Sequence, residues 1–412
     1  MGSLDHHLLN ADSPDIALVV ATPAERIESI RANGLSWKGP LTMEQYIARE
    51  DFLIQQDMVK DGWMTCWVLV DRRLRPDERP ILSSCESIAK RAFLAYKGNI
   101  ETVITHGIGS VFCPPEHRGR GYAKRMIIEL SKILDTWQQE RGAGQGHPQC
   151  LFSVLYSDIG KSFYAAHGWH PYASSHFALA PEAVGTAAVN GSANGNGNSS
   201  GNNGSVRITK GVDMSIVKDM SREDVLRYMC SEPVMEQHKQ KLKDASKVSS
   251  KAIAAFPPDF AHMSWHWARD EFYSQILRPE KGETHVKGAA VPSRKVFMTW
   301  NRKYGATPKD CTLYILRTQY EEPSSPAERQ GVIEALAAIL RRARVEAHEW
   351  NVDHVQIWNP SALVKEAIQI ADPDAAEVHR EKDSIPCLKW DGDKLGYGEN
   401  VDWMWNERYG WC

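Results

Sequence analysis

Hydrophobic positions recur along this chain with two periods. Residues 16–21 form an apolar run suited to a strand. Thr22-Pro23-Ala24-Glu25 follows as a helix start: threonine to cap, proline in the first turn, glutamate at the third helical position. Thr42-Met43-Glu44-Gln45 opens a second helix in the same way. Residues 63–70 and 81–95 read as strands joined by the polar turn 71–80, and 102–113 as another strand. Over 122–139, Met126, Ile127, Leu130, Ile133, Leu134 and Trp137 keep a helical spacing. Residues 151–155 read as a short buried strand and 158–167 as a short helix that Asp158 would cap. Strands followed by a strand–helix–strand crossover predict a mixed central sheet flanked by helices, of the α+β or α/β type.

The pattern lapses over 190–205, NGSANGNGNSSGNNGS, which carries no charge and no large apolar side chain. Such a segment cannot bury enough surface to offset its ordering entropy, so 184–205 reads as a disordered tether. It divides the chain into a front domain, 14–183, and a back domain, 206–412. Its sequons at Asn190, Asn198 and Asn203 are expected to stay unmodified, because the N-terminal sequence has neither the basic nor the apolar region of a secretory signal. The back part opens with helices over 221–278. Strands at 295–301 and 312–319, a long helix over 327–349 and a strand at 354–358 follow, echoing the front order without repeating its sequence.

Composition narrows the function. Over 412 residues, 49 basic against 52 acidic side chains leave a net charge of −3, too little to recruit nucleic acid or an anionic membrane. No apolar run is long enough to span a bilayer, and a cytoplasmic setting is expected. The eight cysteines form no C-x-x-C pair, so neither a zinc site nor a disulfide scaffold is expected, and no metal is predicted.

The segment with chemistry in it is Val111-Phe112-Cys113-Pro114-Pro115-Glu116-His117-Arg118-Gly119-Arg120-Gly121-Tyr122-Ala123. A strand ends, two prolines stop the ladder, and a basic turn with two glycines starts a long helix. Gly119 and Gly121 allow a tight bend and close approach of a ligand to the backbone. The first amides of a helix have no internal partners and lie at the positive end of its dipole. With Arg118 and Arg120 this makes a cradle for a phosphate-bearing ligand. It is neither a P-loop nor a dinucleotide fingerprint.

Arg118-Gly119-Arg120-Gly121-Tyr122-Ala123 resembles the R/Q-x-x-G-x-G/A signature of the GCN5-related N-acetyltransferases, and Phe163-Tyr164-Ala165-Ala166-His167-Gly168-Trp169 resembles that family's F-Y-x-x-x-G-F ending. Ser83-Ser84-Cys85-Glu86, Trp265-His266-Trp267 and the ending Glu407-Arg408-Tyr409-Gly410-Trp411-Cys412 resemble the fungal lysine N6-acetyltransferases. The resemblance implies the fold of that superfamily in front, a second α+β domain that echoes it in degenerate form behind, and acetyl-coenzyme A as co-substrate. Its pyrophosphate would lie on Arg118, Gly119, Arg120, Gly121, Tyr122 and Ala123, with Phe112 and Cys113 at the place where a backbone amide polarises the thioester. Asp158 would be a candidate for the pantetheine arm. Tyr164 matches the family's general acid.

Two residues compete for the role of base. Glu86 is the acid of a buried-type strand, and His106 lies in the strand leading to the cradle. Gly107 and Gly109 thin that strand for a ligand. For the acceptor, Trp265 with Arg269 and His266 with Asp270 sit four residues apart on one predicted helix. The favoured reading is acetyl transfer to the N6 amine of free L-lysine. Transfer to a polyamine, a drug-like amine or a protein lysine, and binding of acetyl-coenzyme A without catalysis, stand beside it.

Overall fold

The structure, a computed structural model, describes residues 8–142, 150–183 and 213–411. The expected tether and its three sequons lie outside the described residues. Along the chain run β1 (Ile16–Val20), α1 (Pro23–Trp37), α2 (Met43–Leu53), β2 (Met64–Asp71), β3 (Ser83–Tyr96), β4 (Asn99–Phe112), α3 (Tyr122–Leu134), β5 (Phe152–Ser157), α4 (Ser162–Ala165), β6 (His170–Pro171) and β7 (Ser175–Leu179). Then come β8 (Lys218–Met220), α5 (Arg222–Met229), α6 (Glu232–Val248), β9 (Ala252–Ala255), α7 (Phe260–Leu277), β10 (Gly288–Val291), β11 (Val296–Lys303) and β12 (Thr312–Gln319). The chain closes with α8 (Pro326–Glu349), β13 (His354–Trp358), α9 (Ala362–Ala371), β14 (Glu377–His379), β15 (Ile385–Trp390) and β16 (Val401–Trp403).

Both predicted capping boxes form: Thr22 accepts from the Glu25 amide and Thr42 from the Gln45 amide, and each partner side chain bonds back. Two helix readings need correction. The helix after the basic turn stops at Leu134, and Trp137 lies beyond it, donating its indole N–H to Thr65. Asp158 caps no helix, because α4 begins at Ser162.

The chain forms two compact units, and they cut across the expected boundary at the tether. One comprises residues 1–174, 230–269 and 380–412; the other comprises 175–229 and 270–379. The reason is strand pairing. In the first unit the sheet runs β1-β2-β3-β4-β5-β15-β6, with β9 on β3 and β16 on β9. The parallel strand β5 would otherwise present an open edge. β15, more than 200 residues further on, covers it over its whole length, Ile385 against Ser157 to Trp390 against Phe152. The long β3 pairs with β2 as far as Ile88 and takes up β9 from Phe93. The other edge of β3 belongs to β4.

One core of this unit lies beneath α3. It joins Tyr122, Met126, Ile127, Leu130 and Leu134 to Leu18, Trp67, Cys85, Ile108, Leu155 and Tyr164. On the other face, α2 and α7 pack Leu53 and Trp265 against Ile88.

The second unit holds a seven-stranded sheet, β14-β7-β13-β12-β11-β10-β8. It repeats the order of the first. β10, β11 and β12 are antiparallel, and α8 carries the chain over to β13, which pairs parallel with β12. β2, β3, β4, α3 and β5 do the same. A register shift interrupts β11 and β12 between Thr299 and Trp300, as one interrupts β3 and β4 between Ser84 and Glu86. The unit is locked by buried charge: Arg302 meets Asp270 at 3.0 Å and Glu346 at 2.6 Å. No helix among the described residues is long and apolar enough to cross a membrane.

Candidate active site

The basic turn is shaped by its glycines. Gly119 and Gly121 take φ of 76° and 86°, left-handed values that favour glycine. A side chain built at Gly119 would meet nothing within 4 Å, so the bend opens outward. Gly121 is the N-cap of α3 and supplies no side-chain cap. The first helical bond runs from the Arg125 amide to the Gly121 carbonyl at 3.0 Å, leaving the amides of Tyr122, Ala123 and Lys124 ahead of the ladder. Arg118 and Arg120 are exposed on the turn, and the Arg118 Nε donates to the Cys113 carbonyl at 3.0 Å. The helix is held from behind. Tyr122 is 1% exposed and its hydroxyl donates to the Leu9 carbonyl at 2.5 Å, while Arg125 donates to the carbonyls of Ala11 and Ile16. These features fit a pyrophosphate: open amides, two cations, and room at Gly119.

The crossover helix of the second unit offers no such place. Ser325 caps α8 by accepting from the Glu328 amide; Glu322 and Glu321, the latter paired with Lys295 at 2.8 Å, precede the cap where the first unit has arginines, and Glu328 lies in the first helical turn. Carboxylates there would repel a phosphate.

Beside the cradle, the ladder between β4 and β5 lasts only from His106–Ser153 to Ile108–Leu155. From Gly109 on, the edge of β4 is left open. Ser84 pairs with Phe112 and Glu86 with Gly109, so β4 carries one extra residue, and Ser110 takes φ of 52°. This bulge turns the Ser110 hydroxyl onto Glu86 Oε2 at 2.6 Å. Gly109 lies opposite Glu86 and Gly107 opposite Ile88. Residues directly paired share a face, so both glycines thin the face that carries Glu86.

Glu86 stands in a narrow cleft lined by Arg26, Asn33, Cys66, Cys85 and Ser110 among others. Burial pushes its carboxyl above the usual carboxylate range, and the charge of Glu50 adds to this; Ser110, Arg26 and Cys66 pull the other way. Arg26 reaches the cleft from α1, tied to Asp51 at 2.7 Å and to the Glu50 carbonyl at 3.2 Å. Tyr46, on α2, donates to Asn33 at 2.8 Å. Sequence reasoning missed Arg26, Tyr46, Glu50 and Ser110. The two capping boxes were the signal that α1 and α2 exist, but nothing in the sequence said which strand they cover.

His106 is separated from Glu86. It pairs with Ala89, three positions from Glu86 on β3, and so occupies the opposite face. It is fully buried, its Nε2 lies 3.0 Å from the Trp137 carbonyl, and burial lowers its pKa to about 4. A neutral imidazole bonded to a carbonyl beneath α3 is a core residue, which corrects the reading of His106 as a base.

Tyr164 lies in the α3 core with its ring 6% exposed, beside Cys85 and Cys387. Burial raises its pKa, with the nearby Cys85 adding to the effect, so the phenol stays protonated. Phe112 packs edge-on against Trp37, with ring centroids 5.6 Å apart. The Cys113 thiol lies 3.5 Å from the Leu82 carbonyl, and burial raises its pKa, as suits packing rather than attack. Asp158 accepts the Ser384 amide at 2.8 Å, a bond to the chain's own loop.

The acceptor candidates on α7 do not stay together. Trp265 is 4% exposed in the core over Ile88. Asp270 is consumed by the buried pair with Arg302 and belongs to the second unit, which corrects its assignment to substrate. Arg269 lies over the Trp411 ring at 5.4 Å. That tail is docked: the Lys90 ammonium donates to the Gly410 carbonyl at 3.1 Å, His266 meets the Tyr409 carbonyl at 3.1 Å, and the Tyr409 hydroxyl donates to Phe256. Among the described residues no cluster of three or more His, Cys, Asp or Glu could hold a metal.

Residues 205–412 match a family model described as the LYC1 GNAT-like C-terminal domain. The chain is similar to an uncharacterized protein of Saccharomyces cerevisiae, 34% identical over 170 residues that cover 36% of this chain and 41% of that protein. The match thus spans less than half of that relative's length. Over 416 residues it is 24% identical to a Yarrowia lipolytica protein named lysine acetyltransferase, covering 95% of this chain and 99% of that one. Among solved structures it is similar to a GCN5-related N-acetyltransferase from Kribbella flavida, at 16% identity and a TM-score of 0.45, over 93% of this chain and 73% of that one.

Proposed function

Because this chain belongs to the GCN5-related N-acetyltransferases, in the family of the LYC1 GNAT-like C-terminal domain, and is an acyltransferase, we propose that it transfers an acetyl group directly to the N6 amine of free L-lysine. The observation that carries this reading is the uncapped, glycine-opened start of α3 beside the split between β4 and β5, with Glu86 on the adjoining strand. Bound acetyl-coenzyme A would supply the activated thioester. The amides of Tyr122, Ala123 and Lys124, with Arg118 and Arg120, would hold its pyrophosphate.

An acceptor amine must lose its proton before it attacks. A lysine side chain has a pKa of about 10.4, so neutralising it at pH 7 costs roughly 4–5 kcal/mol. Glu86 is our base. Burial lifts its pKa toward neutrality, which improves a carboxylate as a proton acceptor, and Ser110 fixes its orientation. Tyr164, held protonated in the core, is our acid for the leaving thiolate. Arg269, which lies over the Trp411 ring at 5.4 Å, is our acceptor candidate on α7, where its cation would suit a carboxylate. The Yarrowia relative's name supports lysine among possible amines.

The test is a panel of acceptors, L-lysine, spermidine, a small aromatic amine and a lysine peptide, followed by release of coenzyme A. L-lysine should give the highest kcat/KM, by at least tenfold. Spermidine or peptide turnover without lysine turnover would end the lysine claim. Tight coenzyme binding without turnover of any acceptor would favour a non-catalytic binding protein.

A further inference from the structure

Helix α1 turns one face to the cleft that holds Glu86. Arg26, Ser29, Ile30 and Asn33 line it, in the i, i+3, i+4, i+7 pattern of a single helical face. Most of that face is committed to the protein itself. Arg26 is held by Asp51 and by the Glu50 carbonyl, the Ser29 hydroxyl donates to the Glu25 carbonyl at 2.9 Å, and Ile30 is apolar. Asn33 differs. It is 5% exposed, its oxygen accepts the Tyr46 hydroxyl at 2.8 Å, and its amide nitrogen has no partner among the described residues.

The orientation of that amide is fixed from α2. Tyr46 is 3% exposed, and a buried phenol needs an acceptor for its proton. Burial raises its pKa, with Glu50 and Glu86 adding to the rise and Arg49 and Arg269 opposing it, so the hydroxyl keeps the proton and donates it. The carboxamide therefore turns its oxygen to Tyr46, which leaves the NH2 as the group of Asn33 that a ligand in the cleft meets. The tyrosine is seated closely. A Cβ built at Gly34, next to Asn33, would meet Tyr46 Cδ1 at 2.9 Å, and the Arg49 guanidinium lies 4.3 Å from the ring centroid. Glycine at position 34 is what lets α2 bring the ring this near to α1.

A pair of N–H donors this deeply placed is costly to leave without an oxygen. An acceptor in the cleft brings its amine to Glu86, and Asn33 stands on the helix that lines the same space. On an amino-acid acceptor the oxygen-bearing group is the carboxylate. The charge of Arg269, the cation offered above to that carboxylate, acts on the same Tyr46 hydroxyl that orients Asn33. Resting on the reading of this cleft as the acceptor site, we propose that Asn33, oriented by Tyr46, is a specificity residue: its NH2 donates to the carboxylate of an amino-acid acceptor and so separates amino acids from amines that lack one.

The full chain tests this with two acceptors, L-lysine and cadaverine, which is lysine without its carboxylate. Asn33→Asp keeps the shape of the side chain and an oxygen for Tyr46 but puts an anion where the NH2 stood. The ratio of kcat/KM for L-lysine to that for cadaverine should fall about tenfold or more, through the KM for L-lysine, with coenzyme A affinity unchanged. A ratio taken within one preparation does not depend on how much of it is folded. Tyr46→Phe, which frees the amide to turn, should lower the same ratio by about threefold or more. An unchanged ratio in Asn33→Asp beside wild-type turnover of L-lysine would overturn this proposal alone. Weakened coenzyme A binding at an unchanged ratio would overturn it too, by assigning the NH2 to a carbonyl of the cofactor. Wild type that acetylates cadaverine but not L-lysine would end this proposal and the lysine reading together.

Discussion

Glu86 and His106 show how one residue of register decides a chemical role. Both are titratable, both sit on strands beside the cradle, and they face opposite sides of the same sheet. Glu86 meets a cleft, a hydroxyl and an arginine; His106 meets a carbonyl and the underside of α3. If Glu86 is the base, it must be ionised to act. Its pKa is raised, so kcat/KM should fall as pH drops through a value above the ordinary carboxylate range. Glu86→Gln should remove that acid limb and lower kcat/KM by about a hundredfold or more. Glu50→Gln removes a repelling charge and should move the limb to lower pH. PH profiles of the three proteins check this, and an acid limb that survives in Glu86→Gln would assign it to another group. The sequence marked Glu86 because a lone acid in a buried strand is out of place. It could not separate Glu86 from His106, because which residues of β3 and β4 stand opposite one another is set by strand pairing that leaves no mark in either strand's own pattern.

At the scale of elements, much of the chain's order was legible and its ends were not. Strands β12 and β13 fall where the apolar runs of the sequence put them, and the two capping boxes placed the starts of α1 and α2. Trp137 kept the helical spacing past the true end of α3 because it packs back on the same core from a turn. The helix expected over 158–167 shortens to α4 because Asp158, which looks like a cap, instead braces the loop before it together with Ser157. The α3 core has a cost that pH reveals. The folded pKa of His106, about 4, lies below its unfolded value near 6.5, so the unfolded chain binds the extra proton. This contribution is present in full above pH 6.5 and is lost as pH falls toward 4. Its size is on the order of 3 kcal/mol. His106→Asn, whatever its absolute stability, should show a flatter dependence of urea unfolding free energy on pH between 6.5 and 4. The same slope in wild type and variant would place the effect elsewhere.

For the whole molecule, the sequence suggested two domains in succession, whereas the strands interleave. β9, β15 and β16 come from the back part yet complete the sheet that carries the cradle. Pairing between strands more than 200 residues apart leaves no mark in local periodicity. A fragment ending at residue 205 would expose the edge of β5 and uncover Lys90 and Phe93, and it should show no cooperative unfolding transition. A cooperatively folded and fully active fragment would refute the shared sheet. The two units repeat one strand order but differ at the crossover helix: α3 begins with open amides and arginines, α8 with a serine cap and glutamates. The chain should therefore bind coenzyme A once. The most direct measurement is a calorimetric titration of coenzyme A into the full chain and into Arg118→Glu. One equivalent per chain, weakened about tenfold or more by the substitution with the circular dichroism unchanged, is the predicted result. Two equivalents, or equal affinity in the variant, would contradict it.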